Sequence, residues 1–273
     1  MAERETLTEL LLDRLTRLRP SIEEKWRNPV GSHTRHFVID DLLPVDLCRR
    51  IHGAFPAGAA GFFRRDSFRE RKKTATDLGA LDPILSDITY AFQDRRVVDL
   101  IGSAIGVPML EPDPLLYAAG LSMMAKGDFL NPHIDNSHDR ERRRYRRLNL
   151  LYYVSPGWAL EDGGNFELWN ARCRRAKTIV SATNRLVAME TSRTSWHGVS
   201  PVSADRPRCC VSTYYFSKQS PEATEYFHVT SFTGRPEERW RRALGIADNA
   251  LRGAVARVFQ AGRGRNRINA PKG

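Results

Sequence analysis

From about Leu115 onward the apolar residues stop recurring at three- and four-residue steps. They fall instead into short alternating or continuous runs separated by Gly, Pro, Asn and Asp. A strand repeats its faces every two residues and a helix every 3.6, so such a change of period marks the start of a strand-rich body. Seven runs qualify: 115–125, 147–154, 164–170, 177–180, 185–190, 196–202 and 208–216. Short strands at this spacing predict an antiparallel sandwich or barrel.

The flanks read differently. Leu7, Leu10, Leu11, Leu15 and Leu18 lie on one helical stripe within residues 3–19, which predicts an amphipathic helix ending near Pro20. A short strand at 36–40, a helix at 44–55, a basic loop at 58–73 and one or two helices at 82–106 follow. Beyond Pro236 a second stripe (Trp240, Leu244, Ala247, Leu251, Val255, Val258 and Phe259) predicts another helix, then a disordered tail. The expected organisation is an N-terminal helix (1–30), a main domain (31–218, strand core 112–218) and a C-terminal helical extension with a basic tail (219–273). No internal repeat is present, which excludes a solenoid or propeller.

Composition bounds the partners. With 41% hydrophobic and 27% charged residues, collagen-like and disordered readings drop out. Forty-three Lys plus Arg against 32 Asp plus Glu leave a net charge of +11. Such a field favours nucleic acid, an anionic surface or an acidic substrate. Nucleic acid is the least supported, because the basic residues are scattered and no recognition motif accompanies them. The N-terminus resembles neither a signal peptide nor a membrane anchor. Cys48, Cys173, Cys209 and Cys210 show no C-x-x-C spacing, and reduced thiols in a cytoplasmic protein are expected.

His133-Ile-Asp135, expected behind an Asn131-Pro132 turn, is the first candidate for chemistry. In an extended segment, residues i and i+2 share a face, so an imidazole nitrogen and a carboxylate oxygen can reach one ion. Taken alone the pair reads as a hydrogen-bonded loop. His197, opening a short strand downstream, is the natural third ligand, while His138 lies in a polar run expected to face solvent. Two His and one carboxylate on one face of an octahedral ion leave three positions open, room for a chelating cosubstrate and O2. A distal carboxylate on that cosubstrate needs a cation, and Arg208, eleven residues after His197, can grip it in bidentate fashion.

The runs NPHID, LNLLYYV, EDGGNFELWN and WHGVSPVSADRPRCCVSTYYF resemble the catalytic domain of the prolyl 4-hydroxylase-like Fe(II)- and 2-oxoglutarate-dependent dioxygenases, over about residues 112–218. The segment HFVIDDLLPVDLCRRI resembles the strand and helix that precede that domain. The resemblance implies a double-stranded β-helix, a jelly-roll, cupin-like barrel braced by N-terminal helices. It implies Fe(II) held by His133, Asp135 and His197, with 2-oxoglutarate and O2 as cosubstrates and ascorbate as a reductant. It also implies that Arg208 pairs with the distal carboxylate, Tyr153 hydrogen-bonds the same group, and Asn149 shares their face. Arg206 has the same parity as Arg208 and is the alternative clamp. Pro207 interrupts strand pairing between them and favours Arg208.

Tyr214 is expected on the substrate side. Arg140, Arg142, Arg143 and Arg144, in the connection after the metal-binding turn, either form a solvated loop or meet an anionic substrate. The implied reaction is hydroxylation of an aliphatic carbon with release of succinate and CO2. The carboxylate ligand Asp135 leaves no site for a halide, which argues against halogenation. The substrate is either a prolyl residue of a protein or an anionic small molecule, sugar or lipid-linked precursor. A non-catalytic basic binding module and a cupin-type enzyme without cosubstrate are the competing readings.

Overall fold

The structure is a computed structural model, and it describes residues 2–222 and 224–238. Twelve strands form one antiparallel sheet: β1 (His36–Ile39), β2 (Phe63–Asp66), β3 (Glu70–Ala75), β4 (Gly120–Met124), β5 (Phe129–Ile134), β6 (Tyr145–Tyr153), β7 (Phe166–Trp169), β8 (Ala176–Ile179), β9 (Arg185–Glu190), β10 (His197–Val199), β11 (Arg208–Ser217) and β12 (Ser231–Phe232). Their order is β1-β9-β6-β11-β4 in one half and β3-β5-β10-β7-β8 in the other, with the β3–β4 pairing joining the halves. The sheet curls on itself, and strands of both halves line one interior cavity.

The two-residue period sorts side chains between two environments. On β6, Leu148, Leu150 and Tyr152 join the core under the helices, whereas Asn149, Leu151 and Tyr153 face the cavity. Among the described residues, four helices cover the outer face: α1 (Ala2–Arg27), α2 (Val45–Gly53), α3 (Pro83–Ala91) and α4 (Arg95–Ala104). Asp82 and Asp94 cap α3 and α4, each side chain accepting from the backbone N–H two residues on.

Three expectations are corrected. The first helix does not stop near Pro20 but runs to Arg27. An interior proline costs about 3 kcal/mol, and burial of Ile22 and Trp26, with Trp26 edge-on to Phe37, offsets that cost. The basic run read as loop is the β2–β3 hairpin. Its Ser67 hydroxyl accepts from the backbone N–H groups of Arg69 and Glu70 at the turn, and its charges suit an exposed edge strand. Asn131-Pro132 is not a turn ahead of His133 but lies inside β5, where the pairing with β10 shifts register and a missing N–H is tolerated.

Residues 219–222 and 224–238 form bends, a turn and one short strand rather than a helix, and they place β12 against β5. The helix expected beyond Pro236 falls almost wholly outside the described residues. The cysteines that are described are buried and free, and no described helix is long and apolar enough to cross a membrane.

Candidate active site

His133 and His197 face each other in the β5–β10 register, with ring centroids 4.1 Å apart. Asp135, just past the end of β5, brings its two oxygens to 3.6 Å from Nε2 of each imidazole. One ligand atom from each of the three lies within 4.8 Å of the others, and no other such cluster occurs among the described residues. This donor set suits one octahedral divalent ion with open positions.

The surroundings prepare each group for that task. Nδ1 of His133 and of His197 lies 3.1 and 2.9 Å from the carbonyl oxygens of Asn131 and Ser195. A carbonyl only accepts, so each Nδ1 carries the proton and each Nε2 lone pair faces the cluster. Burial, reinforced by the neighbouring His133, pushes the His197 pKa down to about 4, so the ring is neutral at neutral pH. Burial opposes ionisation of Asp135, yet the Arg146 guanidinium beside it holds its carboxyl well below the usual range. Phe232 of β12 stacks on His133 at 5.1 Å, and His228 Nε2 lies 2.8 Å from the Asp135 carbonyl.

A cavity of about 360 Å³ opens beside the cluster. Arg208, 3% exposed, enters it from β11, donating from Nη1 to the Gly164 carbonyl at 3.0 Å. Its guanidinium carbon lies 5.2 Å from the Tyr153 ring centroid. The run EDGGN explains the placement. Gly163 and Gly164 both have positive φ, and a Cβ on Gly164 would lie 2.9 Å from Val202 and 3.2 Å from the Arg208 side chain. Only glycine lets that carbonyl approach the arginine.

Four buried polar atoms along this wall have no hydrogen-bond partner: Asp135 Oδ2, Arg208 Nε, the Tyr153 hydroxyl and Asn149 Oδ1. Buried polar groups are normally satisfied, so such a concentration marks a place prepared for a ligand. A metal ion beside Asp135 and a carboxylate beside Arg208 and Tyr153 fit it. Burial raises the Tyr153 pKa, keeping its hydroxyl a donor.

Residues 119–216 match the model of the 2OG-Fe(II) oxygenase superfamily. This segment is a 2OG-Fe(II) oxygenase domain. The oxygenase domain also explains the fold. Among solved structures, a prolyl hydroxylase from Trichoplax adhaerens, in complex with a hypoxia inducible factor peptide fragment, is similar at 14% identity and a TM-score of 0.55, covering 76% of this chain and 92% of that one. A Pseudomonas putida prolyl-4-hydroxylase gives 17% and 0.52, with coverage of 74% and 100%. A prolyl 4-hydroxylase from Phytophthora capsici gives 15% and 0.52, with 92% and 77%. No curated protein matches the chain. The 2OG-Fe(II) oxygenase family uses Fe(II), 2-oxoglutarate and O2, and the similar solved structures share the curled antiparallel jelly-roll architecture.

The structure divides the remaining expected residues. Tyr214, Arg140 and Arg142 line the cavity with Asn149, Tyr153 and Arg208. Arg206 does not: it donates to the Gly157 carbonyl and pairs with Asp162 at 2.7 Å on the exposed side. Arg143 pairs with Glu141 in solvent. Arg144 is held by Asp139 at 2.8 Å and Glu111 at 3.2 Å along a separate groove. His138 is buried rather than solvent-facing, bonded to Ser137 and packed on Tyr145.

Two groups of lining residues escaped sequence reasoning. Glu70, Arg65 and Lys72 come from the unpredicted hairpin. Lys72 and Arg65, outweighing burial, hold the Glu70 carboxyl down at about 2. Arg146 has the parity of Leu148 and Leu150 and reads as helix-facing. A register shift in the β6–β11 pairing leaves Arg147 unpaired and turns Arg146 inward.

Proposed function

We propose that this protein hydroxylates an aliphatic carbon with iron held by His133, Asp135 and His197 and with 2-oxoglutarate anchored by Arg208. The single observation that carries this reading is the meeting, in one buried cavity, of the His-Asp-His cluster with the unpartnered atoms of Arg208, Tyr153 and Asn149. When bound, the iron and cosubstrate supply O2 activation coupled to oxidative decarboxylation, yielding succinate and CO2. The chain supplies geometry and charge. Carbonyls of Asn131 and Ser195 orient the two imidazoles, and Arg146 keeps Asp135 ionised. Arg208 and the Tyr153 hydroxyl grip the distal carboxylate, Asn149 lies on the same wall, and Tyr214 borders the substrate space.

In this reading the catalytic unit spans residues 31–218, with ascorbate as the reductant that restores Fe(II) and the cytoplasm as the site of action. The similar prolyl hydroxylases support a prolyl substrate only through a shared fold. The arginines of the cavity support an anionic small molecule.

The test is succinate formation from 2-oxoglutarate with and without Fe(II), together with a mass-spectrometric search for substrates that gain one oxygen atom. A binding module makes no succinate, and a cupin-type enzyme without cosubstrate ignores 2-oxoglutarate. The reading fails if the wild type forms no succinate on any substrate panel and His133→Ala binds iron as well as the wild type.

A further inference from the structure

Arg146 is among the largest fully buried side chains, at 1% exposure. Among the described residues its one ion pair is Nη1 to Asp135 Oδ1 at 3.4 Å, and its Nε and Nη2 have no hydrogen-bond partner there. The guanidinium lies flat enough on Tyr214 to bring its carbon within 3.8 Å of the ring centroid, which fixes its plane while leaving those donors unspent. Burying a charge costs several kcal/mol unless it is well paired. One long contact to a carboxylate that also serves the metal cluster is poor compensation.

Arg142 repeats the pattern on the same connection. Its φ of 59° lies in the left-handed region, a strained conformation for a non-glycine residue. Its guanidinium is stacked over Phe227 at 4.2 Å, and its Nη2 is buried without a partner. Both arginines line the cavity that holds the His-Asp-His cluster.

The charge balance of that cavity points the same way. Six basic residues line it against three acidic ones. Arg65 and Lys72 are answered by Glu70 at 3.3 Å each. Arg208 is reserved for the distal carboxylate of the cosubstrate. Asp139 is already held by Arg144 from outside the lining. For Arg142 and Arg146, Asp135 is the one lining carboxylate not already held by another cation. A low-dielectric pocket with that imbalance concentrates anions.

We infer that Arg146 and Arg142 form a second oxyanion subsite, distinct from Arg208, and that the substrate is a small molecule bearing a carboxylate or phosphate. This deepens the dioxygenase reading above and rests on it for the position of the reacting carbon. Guanidinium forks match both oxyanions in bidentate fashion, whereas an uncharged prolyl peptide would leave the buried Arg146 and the half-buried Arg142 unanswered.

The test uses the full chain loaded with Zn(II), which occupies the cluster without turnover, and saturated with 2-oxoglutarate. Inorganic phosphate and acetate are then titrated separately by calorimetry. The wild type is expected to bind at least one of them saturably, and the better ligand identifies the oxyanion. Arg142→Gln and Arg146→Lys are each expected to weaken that anion about tenfold or more, by a larger factor than they weaken 2-oxoglutarate. Arg143→Gln is expected to change neither. Arg142 does not touch the metal cluster, so its variant stays informative if Arg146→Lys disturbs Asp135.

Absence of saturable binding of either anion overturns the subsite, as does binding that both variants leave unchanged. An uncharged proline-containing peptide that stimulates succinate formation equally in the wild type and Arg142→Gln also overturns it, in favour of a peptide substrate. Failure of the dioxygenase reading is separate: it appears in the first titration as an absence of 2-oxoglutarate binding.

Discussion

Tyr152 and Tyr215, on the helix-covered face of β6 and β11, bury hydroxyls whose hydrogen bonds are complete. Tyr152 donates to Asn184 Oδ1 at 2.8 Å and Tyr215 to the Phe92 carbonyl at 2.5 Å. One residue away on each strand the side chains reverse direction. Tyr153 buries a hydroxyl with no partner, and Tyr214 lies beneath a buried arginine whose donors are half unused. The two faces share strands, residue type and depth of burial. They differ in whether the polar groups are already satisfied, and that separates a face built to be stable from one built to receive something.

The largest effect that could break this contrast is at the metal cluster. His133→Ala is expected to reduce Fe(II) or Co(II) affinity by well over the 10- to 100-fold typical of a lost supporting contact, measured anaerobically by titration, with Tm of the metal-free protein nearly unchanged. A large fall in metal-free stability instead would make His133 a core residue. Next, Arg208→Gln is expected to weaken 2-oxoglutarate binding by about 10- to 100-fold, the value of a charge-assisted contact of roughly 1.5–3 kcal/mol. Arg206→Gln is expected to leave that affinity as it is, and the reverse result would exchange the two roles.

Asp113 sharpens the contrast from outside the cavity. It is buried, its Oδ2 has no partner, and burial outweighs Arg146 to push its pKa up to about 6. The folded state therefore holds this proton more tightly than the unfolded one. The penalty is absent below about pH 4 and complete above about pH 6, so stability declines as pH rises through that window. Asp113→Asn is expected to stabilise the protein at pH 8 by on the order of 2 kcal/mol and to have little effect at pH 4, read from denaturation midpoints. Equal effects at both values would mean that Asp113 is not neutralised by burial.

The smallest effect is the most direct comparison of the two faces. Tyr152→Phe is expected to cost about 1 kcal/mol of stability, because it removes one of the two hydrogen bonds that Asn184 Oδ1 accepts, leaving that from the Leu43 N–H, and to leave 2-oxoglutarate affinity alone. Tyr153→Phe is expected to cost no stability and to weaken 2-oxoglutarate severalfold. Matched chemical denaturation and ligand titration of the pair decide it.

Much of this arrangement was legible in the sequence, for identifiable reasons. His133, Asp135, His197 and Arg208 carry rare chemistry at spacings that a folded-back sheet explains, and the alternation LNLLYYV assigns Asn149 and Tyr153 to one face without ambiguity. Arg146 was hidden because one unpaired residue reverses parity, and no local pattern announces a bulge. The β2–β3 hairpin was hidden because an edge strand exposed to water has no apolar alternation to read. β12 is too short for any periodicity, and its partner β5 lies far back in the chain.

That last element governs when the centre is finished. A growing chain has all three ligand residues once His197 has been made, and the oxygenase domain closes with β11. Phe232 then has to settle against His133, and Arg235 has to clasp Glu167 at 3.0 and 2.7 Å and the Val199 carbonyl at 2.9 Å. A chain that stops short of the strap lacks this cover on His133 and the clasp on Glu167, while the cavity on the other side of the cluster stays open in the finished fold.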